Sequence, residues 1–509
     1  MREVTLTAPE TTRDRPYLRA TLILACLAQF MVILDVSVVN VALPRIRDAL
    51  RFPEQDLQWV VNGYTVTFAG FMLLGGRAAD LLGRRRVFVS GLLLFALSSL
   101  LGGLANSQGV LIAARAIQGL GGAIIAPASL SILTATFEEG PERNRAVGAW
   151  GAMGAAGGSA GVLLGGVITD VLGWRWILFI NVPIGVIAAL LAQRFVAEGR
   201  AEGRTRNFDL SGALTATIGL SLLVFGIVRT DVTGWGSAST LGIIAGGLVL
   251  LGVFVWIEGW FAKSPLMPLR IYRSRTLWAS NVIVLLLGAA VFGMWFFVSL
   301  YLQQVLGFTP IQAGLAFLPM TLSIALFSVL ASRLVRRFGA KRMLIAGMSL
   351  QTIGLLLFTD ISVGGTYLGN VLAPSVIVAV GMGMAFVPVT ITAVAGVAPR
   401  EAGLASGLVN TSRMFGGALG LAILAAIATA RTNSDLHHTV VTTHSLHAAL
   451  TDGFQLAFIV AACIALAGAL VALLALPRVP ARPASGAEDG TAAVPPAVRA
   501  EQRTAVAAE

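Results

Sequence analysis

Long apolar runs are the feature of this sequence that most limits what it can fold into. Many of them reach or exceed the roughly 18–20 residues that a helix needs to cross a hydrocarbon core of about 30 Å. Hydrophobic residues make up 56% of the 509 residues and charged residues only 12%, whereas soluble domains carry about 25% charged residues. The sequence therefore predicts an all-α membrane protein with many spans.

The apolar runs divide into fourteen predicted spans. They lie near residues 18–43, 57–76, 87–106, 109–136, 144–169, 175–194, 210–229, 239–259, 277–301, 311–331, 342–360, 369–395, 403–429 and 454–476. The first run is longer than the apolar region of a secretory signal, so we expect it to remain as span 1. Pro44, Gly83, Gly140 and Pro310 are expected to mark joints between spans.

The distribution of charge predicts the orientation in the membrane. The formal net charge is +11, an excess that would suggest nucleic acid in a soluble protein. Here, however, 28 of the 36 basic residues fall on one side of the predicted spans and 6 on the other, which is the positive-inside pattern. We expect a multi-pass protein of the plasma (inner) membrane with both termini in the cytoplasm, in contact with the lipid bilayer and not with nucleic acid.

An internal repeat divides the predicted spans into two halves. The segment Gly76–Arg86, between spans 2 and 3, is similar to Ser332–Arg342, between spans 10 and 11. Two six-span halves related by an axis along the membrane normal are typical of transporters, with the binding site between the halves. The predicted units are an N-terminal tail (1–17), a first six-helix bundle (18–200), an inserted pair of helices forming spans 7 and 8 (201–275), a second bundle (276–476) and a disordered tail (477–509).

Charged side chains inside spans indicate functional sites, because each costs about 2.5–3.5 kcal/mol or more at the bilayer centre. Asp35 in span 1, Arg115 in span 4 and Arg413 in span 13 are predicted to lie deep. Glu258 and Asp360 lie at span ends, where we expect water to solvate them.

Asp35 is the predicted proton carrier. Burial favours the neutral form of a carboxyl group and a nearby cation favours the charged form, so a carboxyl that faces each side in turn can load a proton outside and release it inside. A structural ion pair or a helix-packing hydrogen bond is the alternative. Arg115 shares a helical face with Gln118, and it is expected to pair with Asp35, to bond main-chain carbonyl groups of span 1 or to meet an anionic substrate.

The loop between spans 2 and 3 is a candidate gating loop. Gly76 and Gly83 permit close approach and unusual backbone angles, and Asp80 suits the positive end of a helix dipole. Together with Arg84 and Arg85 they predict an ionic latch that favours the inward-closed state. Simple orientation of the protein by positive charge is the alternative interpretation.

Span 5 carries glycines at four-residue spacing. Gly157, Gly161 and Gly165, with Gly166 beside them, form a face of small residues that allows close helix packing. Packing alone explains this pattern, and a bend or a sliding surface for conformational change is the functional alternative.

Several polar and aromatic residues are candidates for a substrate cavity, although an interfacial aromatic belt or structural roles explain them equally well. They are Asn40, Gln118, Trp295, Phe296, Asn410 and Arg413. Asn410 and Arg413 repeat the face geometry of span 4, and Arg413 lacks a deep acid in its own half.

The histidines and cysteines of the sequence form no recognisable metal or catalytic site. The four histidines (His437, His438, His444 and His447) fall in a predicted external loop at 430–453 without a firm zinc-site spacing. Cys26 and Cys463 lie in apolar runs, so we expect no disulfide and no metal site. The chain has no GxxxxGK[ST] phosphate-binding motif. We expect no catalytic residues and no cofactor besides the proton gradient.

The motifs resemble those of the fourteen-span drug/proton antiporters of the major facilitator superfamily (the EmrB/QacA type). The similar segments are Leu34–Pro44, Gly76–Arg86, Arg115–Ala123, Gly161–Gly166, Gly173–Trp176, Asn181–Gly185, Tyr301–Gly314 and Gly403–Gly420. The resemblance ties Asp35 and Arg115 to coupling and Asp80 and Arg84 to gating. Leu81 stands where the family has arginine, Val162 where it has proline, and span 10 has no acid.

This resemblance implies a major facilitator fold of two six-helix bundles plus two inserted helices, and an antiporter. The sequence does not fix the oligomeric state, for which a monomer is the expectation. The predicted function is proton-coupled export, by alternating access, of small amphipathic organic compounds such as drugs, antibiotics or secondary metabolites. The alternatives are a transporter-like protein with a lipid or metabolite substrate and a membrane sensor that does not transport.

Overall fold

The computed structural model describes residues 15–138, 141–199, 209–234, 236–262, 265, 270, 273–395, 397, 402–437 and 442–477. Within these ranges the chain is helical and contains fourteen helices that are long and apolar enough to cross a membrane. The predicted fold class and number of spans are therefore confirmed. The predicted disordered tail lies outside the described residues, apart from its first position.

The helices follow the predicted order. Spans 1 to 7 are formed by Arg15–Leu50, Trp59–Leu82, Arg84–Gly103, Gln108–Thr136, Pro141–Val171, Asn181–Phe195 and Leu210–Thr233. Spans 8 to 14 are formed by Ala238–Trp256, Arg275–Leu300, Pro310–Phe338, Ala340–Leu357, Leu372–Ala395, Ala402–Leu436 and Thr443–Leu474. Short helices at Glu54–Leu57 and Trp176–Phe179 precede spans 2 and 6, and single π-helical turns at Ile257–Phe261, Tyr301–Val305 and Tyr367–Val371 extend spans 8, 9 and 12.

Local sequence explains many of the helix ends. The Thr309 hydroxyl accepts a bond from the Gln312 main chain and Gln312 bonds back, so span 10 starts with a capping box. Thr442 and Ser445 form the equivalent box before span 14. Gly83 and Gly339 separate adjoining helices with φ angles of 112° and 80°, which glycine adopts without steric cost.

Several predicted boundaries are wrong, among them the end of span 1 and the start of span 14. Pro44 does not end span 1, because the helix continues to Leu50. Span 14 begins at Thr443, so most of the predicted external loop at 430–453 is helix. Hydropathy marks the hydrocarbon core, and both helices extend beyond it with polar residues.

The helices pack as two groups with an insert between them. Span 1 packs on span 5 and span 4 on spans 2 and 3, while span 9 packs on span 13 and span 12 on spans 10 and 11. The two groups meet where span 5 contacts span 10 and span 2 contacts span 13. Span 7 contacts spans 2 and 13, and span 8 packs mainly on span 7. The predicted unit boundaries remain a prediction.

We call the end of the bundle at which span 1 finishes the Leu50 end. The two halves are joined there by hydrogen bonds to span 1. Ser299 Oγ donates to the carbonyl of Asn40 at 2.7 Å, and Gln303 Nε2 donates to the carbonyl of Val41 at 3.0 Å. Because Pro44 has no N–H, the Asn40 carbonyl lacks its usual helical partner and span 9 supplies one.

A cavity of about 350 Å³ opens at the Leu50 end. Its lining combines the last turns of span 1 with the ends of spans 9, 10 and 14, namely Pro44, Arg45, Arg47, Asp48, Gln303, Gln304, Phe308, Pro310, Leu446, His447 and Leu450. The two halves therefore both contribute to this surface.

Candidate functional site

The predicted pair of Asp35 and Arg115 is formed. Arg115 Nη1 lies 2.5 Å from Asp35 Oδ2, and the two side chains are 2% and 0% exposed. Gln118, one turn after Arg115 in span 4, donates from Nε2 to Asp35 Oδ1 at 2.8 Å and accepts from Arg115 at 2.7 Å. The charges that the sequence placed inside the spans of the first half thus neutralise each other.

Asn181 and Ser99 complete the network, and sequence reasoning missed both. Asn181 Nδ2 donates to Asp35 Oδ1 at 2.9 Å and to Ser99 Oγ at 3.1 Å. Ser99 Oγ also accepts from Gln118 at 3.1 Å and donates to the Leu178 carbonyl at 2.8 Å. Asn181 lies in an otherwise apolar run, and a single polar residue within such a run is the sequence signal that could have identified it.

Arg115 is held by span 2 as well. Its Nε donates to the Val60 carbonyl at 3.1 Å, and its guanidinium carbon lies 4.6 Å from the centre of the Tyr64 ring, within the range of a cation–π contact. The network therefore joins spans 1, 2, 3, 4 and 6. The Tyr64 hydroxyl and Asn181 Oδ1 are buried and have no hydrogen-bond partner within the described part of the chain.

The carboxylate of Asp35 is fully buried and accepts three hydrogen bonds, from the amides of Gln118 and Asn181 and from the guanidinium of Arg115. All three donors belong to helices other than span 1. A displacement of span 1 relative to spans 4 and 6 therefore has to break these bonds.

The candidate gating loop is bound within the first half. Gly83 has a φ of 112°, Arg84 Nε donates to Ser131 Oγ at 2.8 Å, and the Arg84 main chain donates to the Gly199 carbonyl at 3.0 Å. Arg85 Nε lies 3.5 Å from Glu198, beyond span 6.

Gly76 lies within the helix of span 2 and not in a loop as predicted, because that helix continues to Leu82. It faces span 4, where an added Cβ would lie 3.3 Å from Pro127. Asp80 lies in the last turn of span 2, at the negative end of that helix and not at the positive end predicted for it, and its side chain is outside the described part of the structure. The ionic-latch role of this loop remains a prediction.

The glycine stripe of span 5 contacts span 1. A Cβ added at Gly157, Gly161 or Gly165 would lie 2.7–2.9 Å from the carbonyls of Phe30, Leu34 and Val38 respectively. This close packing follows from the absence of side chains on that face. Gly166 instead faces Ile311 of span 10, whose Cα would lie 3.0 Å from an added Cβ.

The candidate cavity residues do not converge on one site. Asn40 donates to the Val36 carbonyl at 3.1 Å, and Gln118 belongs to the Asp35 network. Trp295 stacks on Phe317 at 4.9 Å, and Phe296 is buried against Phe297. Phe296 therefore lies in the packed core, whereas Trp295 is partly buried against it, and the cavity role of both remains a prediction.

Asn410 and Arg413 do lie together, on the face of span 13 that meets the first half. Arg413 Nη2 donates to Asn410 Oδ1 at 2.6 Å, and its guanidinium carbon lies 5.8 Å from the centre of the Phe386 ring. Asn410 Nδ2 lies 3.5 Å from Met72 Sδ in span 2.

One expectation about span-end acids is wrong. Glu258 is only 4% exposed and Asp209 only 5% exposed, because the π-helical turn after span 8 faces the start of span 7. A Cβ at Gly212 would lie 2.6 Å from Asp209 Oδ2 and 2.9 Å from Glu258 Oε1. Asp360 is exposed, as expected.

The histidines occupy different surroundings from those expected. His444 and His447 lie in span 14, and His447 lines the cavity at the Leu50 end. His438 lies outside the described residues. Among the described residues, no group of three or more His, Cys, Asp and Glu side chains is arranged to hold a metal ion.

Two packed groups of spans with a buried ion pair inside one of them define a membrane protein of the secondary-transporter type. The chain belongs to the Major Facilitator Superfamily, because the sequence model of that family matches residues 25–421. The family predicted by resemblance is therefore confirmed, and the chain falls in a class of transporters of small molecules and not of enzymes.

Known relatives extend this result. A cephamycin export protein of Amycolatopsis lactamdurans is 45% identical over 80% of this chain and 84% of its own length. A puromycin resistance protein of Streptomyces alboniger is 36% identical over 94% of both chains. A crystal structure of a bacterial homologue of the human lysosomal transporter Spinster has a TM-score of 0.65 at 16% identity, covering 91% of this chain and 97% of that one, which shows the shared fold.

Proposed function

We propose that this protein is a proton-coupled exporter of amphipathic organic compounds. It works by alternating access as a monomer in the plasma membrane, with both termini in the cytoplasm. The names of the relatives, which refer to export of or resistance to antibiotics, support the export of drug-like compounds. The excess of basic residues on one side of the spans supports the orientation.

The observation that carries the coupling proposal is the position of Asp35. Its carboxylate is fully buried in a helix that crosses the bundle, and every donor that stabilises it comes from a neighbouring helix. Movement of span 1 relative to spans 4 and 6 changes the number of donors, and with it the preference of Asp35 for the proton. Proton uptake at Asp35 releases Arg115, which links protonation to the helix arrangement.

The proton gradient supplies enough free energy for this task. One proton crossing a potential of 100 mV provides about 2.3 kcal/mol, and a difference of one pH unit adds about 1.4 kcal/mol. Together they support a concentration gradient of several hundred-fold for a neutral substrate that is exchanged for one proton.

Asp35→Asn tests the proposal in inside-out membrane vesicles with an acidified lumen. The wild type is expected to accumulate an exported dye in the lumen, whereas Asp35→Asn binds the dye without accumulating it. Asp35→Glu is expected to restore part of the uphill transport, because it keeps the ionisable group. Asp360→Asn is the matched control, since it removes an exposed acid from the short turn Phe358–Asp360 that follows span 11.

The outcomes separate the competing functions. Undiminished accumulation by Asp35→Asn contradicts the coupling role of Asp35. Dye binding by the wild type without any flux indicates a membrane sensor. Gradient-driven movement in the opposite direction indicates an importer.

A further inference from the structure

Arg413 lies inside span 13 without an acidic partner among the described residues. Its one hydrogen bond to a side chain goes to the neutral amide of Asn410, and its other polar contact is with the face of the Phe386 ring. Arg115, by contrast, is balanced by the Asp35 carboxylate. A charge is costly at this depth in the membrane. The charge of Arg115 is balanced by Asp35 in the first half, whereas no described acid balances the charge of Arg413 in the second half.

Arg413 is placed where the two halves meet. Asn410, one turn before it, contacts Met72 of span 2, and Met414, next to it, is buried in the apolar cluster of the first half together with Phe68. Phe386 of span 12 covers the guanidinium from the second half. In transporters of this architecture substrates bind between the halves, and Arg413 itself is only half-buried.

Span 13 is attached to span 9 of its own half by contacts that do not use the Arg413 side chain. Ser412 Oγ donates to Asn281 Oδ1 of span 9 at 2.7 Å. Gly416 and Gly420 pack closely against Leu285 and Ala289 of the same span, and only the main chain of Arg413 takes part, opposite Gly288. The attachment to span 9 therefore does not require the guanidinium.

The chemistry of the guanidinium defines the missing partner. Arginine offers five N–H donors in a planar fork, and Asn410 occupies one of them. Carboxylates and similar planar anions fit that fork with two parallel hydrogen bonds. We propose that Arg413 binds the acidic group of an amphipathic organic anion, so that this exporter, if the proposed function holds, takes organic anions as its substrates.

Equilibrium binding to the purified full-length protein in lipid nanodiscs tests the proposal without any gradient. The probes are two fluorescent acids, dansyl-leucine and pyrenebutyrate, each compared with its neutral methyl ester. For at least one pair, the wild type is expected to bind the acid at least about tenfold more tightly than the ester. Arg413→Gln is expected to abolish this preference while leaving ester binding unchanged, and Arg413→Lys to keep part of it.

Arg431→Gln is the matched control, because Arg431 lies in the same span, is exposed and pairs with Asp435 at 3.2 Å. It is expected to keep the full preference. Absence of any acid preference in the wild type overturns the proposal, and so does an Arg413→Gln variant that weakens acid and ester equally. Failure of proton coupling is measured separately, as loss of uphill transport with the acid preference intact.

Discussion

At the scale of single residues, the buried network around Asp35 was only partly predictable. The charges of Asp35 and Arg115 could be paired because a charge inside a membrane is costly and each had one evident partner. The sequence did not point to Asn181 and Ser99, because burying an amide or a hydroxyl in the membrane costs much less free energy than burying a charge. A helix can also satisfy a hydroxyl with its own carbonyls. Sequence therefore indicates the ion pair but not the groups that orient it.

Asn181→Asp is expected to make the stability of the protein depend on pH. The introduced carboxylate replaces a donor to Asp35 and places a second acid beside it in a buried site, so the folded variant binds a proton more tightly than the unfolded chain. Stability then falls as pH rises. Melting temperatures between pH 5.5 and 8.5 measure this effect.

Asn370→Asp provides the comparison for that experiment. Asn370 also donates to an acid, Asp360, but at an exposed position, where water and salt screen the repulsion. Its melting temperature is expected to change little with pH. An Asn181→Asp variant with the same flat profile as Asn370→Asp would show that Asn181 does not interact with a charged Asp35.

At the scale of helices, the close packing of the span 5 glycines against span 1 can be tested with two substitutions in the same helix. Gly161→Ala places a methyl group 2.8 Å from the Leu34 carbonyl, whereas Gly148 in the same helix has nothing within 4 Å of the added atom. Alanine favours a helix by about 1 kcal/mol over glycine, but overpacking costs about 1–3 kcal/mol.

Gly161→Ala is therefore expected to lower the melting temperature in detergent, and Gly148→Ala to leave it unchanged or raise it. A Gly161→Ala variant as stable as Gly148→Ala would mean that spans 1 and 5 adjust freely. That result would favour the sliding-surface interpretation of the stripe.

The bonds from span 9 to the carbonyls of Asn40 and Val41 in span 1 are expected to hold the Leu50 end closed. Each contributes about 0.5–1.5 kcal/mol, so losing both in a Ser299→Ala, Gln303→Leu variant shifts the equilibrium toward separated halves. Spin labels at positions 48 and 446, on opposite halves, are expected to report a larger share of long distances. Ser323→Ala, which removes a bond within span 10, should leave the distances unchanged.

Sequence described the helices well in number and order, and less well at their ends. The bilayer forces long apolar runs, which hydropathy detects directly. Helix that continues past the hydrocarbon, as in span 1 beyond Pro44, has no such signal. This part of span 1 contacts neighbouring helices of its own half, since Arg45 pairs with Asp170 of span 5 and Gln108 of span 4 donates to the Leu50 carbonyl. The burial of Glu258 was missed for the same reason, since it depends on how span 8 meets span 7.

At the scale of the whole molecule, an anionic substrate makes the transport cycle strongly electrogenic. One proton entering while one anion leaves moves two charges, so a potential of 100 mV contributes about 4.6 kcal/mol, against about 2.3 kcal/mol for a neutral compound. In inside-out vesicles without a pH difference, transport of the dansyl-leucine anion is expected to rise more steeply with potential than that of its ester. Vesicles carrying Asp35→Asn correct for leakage, and equal slopes would indicate a neutral substrate.

The network that joins spans 1, 2, 3, 4 and 6 also has a mechanical consequence. These helices cannot slide past one another without breaking several buried bonds, and the hydrocarbon offers no water to replace them. While Asp35 keeps these bonds, the first bundle therefore moves as one rigid body when the halves rock. The displacement of span 1 that the coupling proposal requires has to break them, as proton uptake by Asp35 does. In the ion-paired state, deformation is confined to the margin of the bundle, to span 5 and to the end of span 1 from Pro44 to Leu50, which the network does not include.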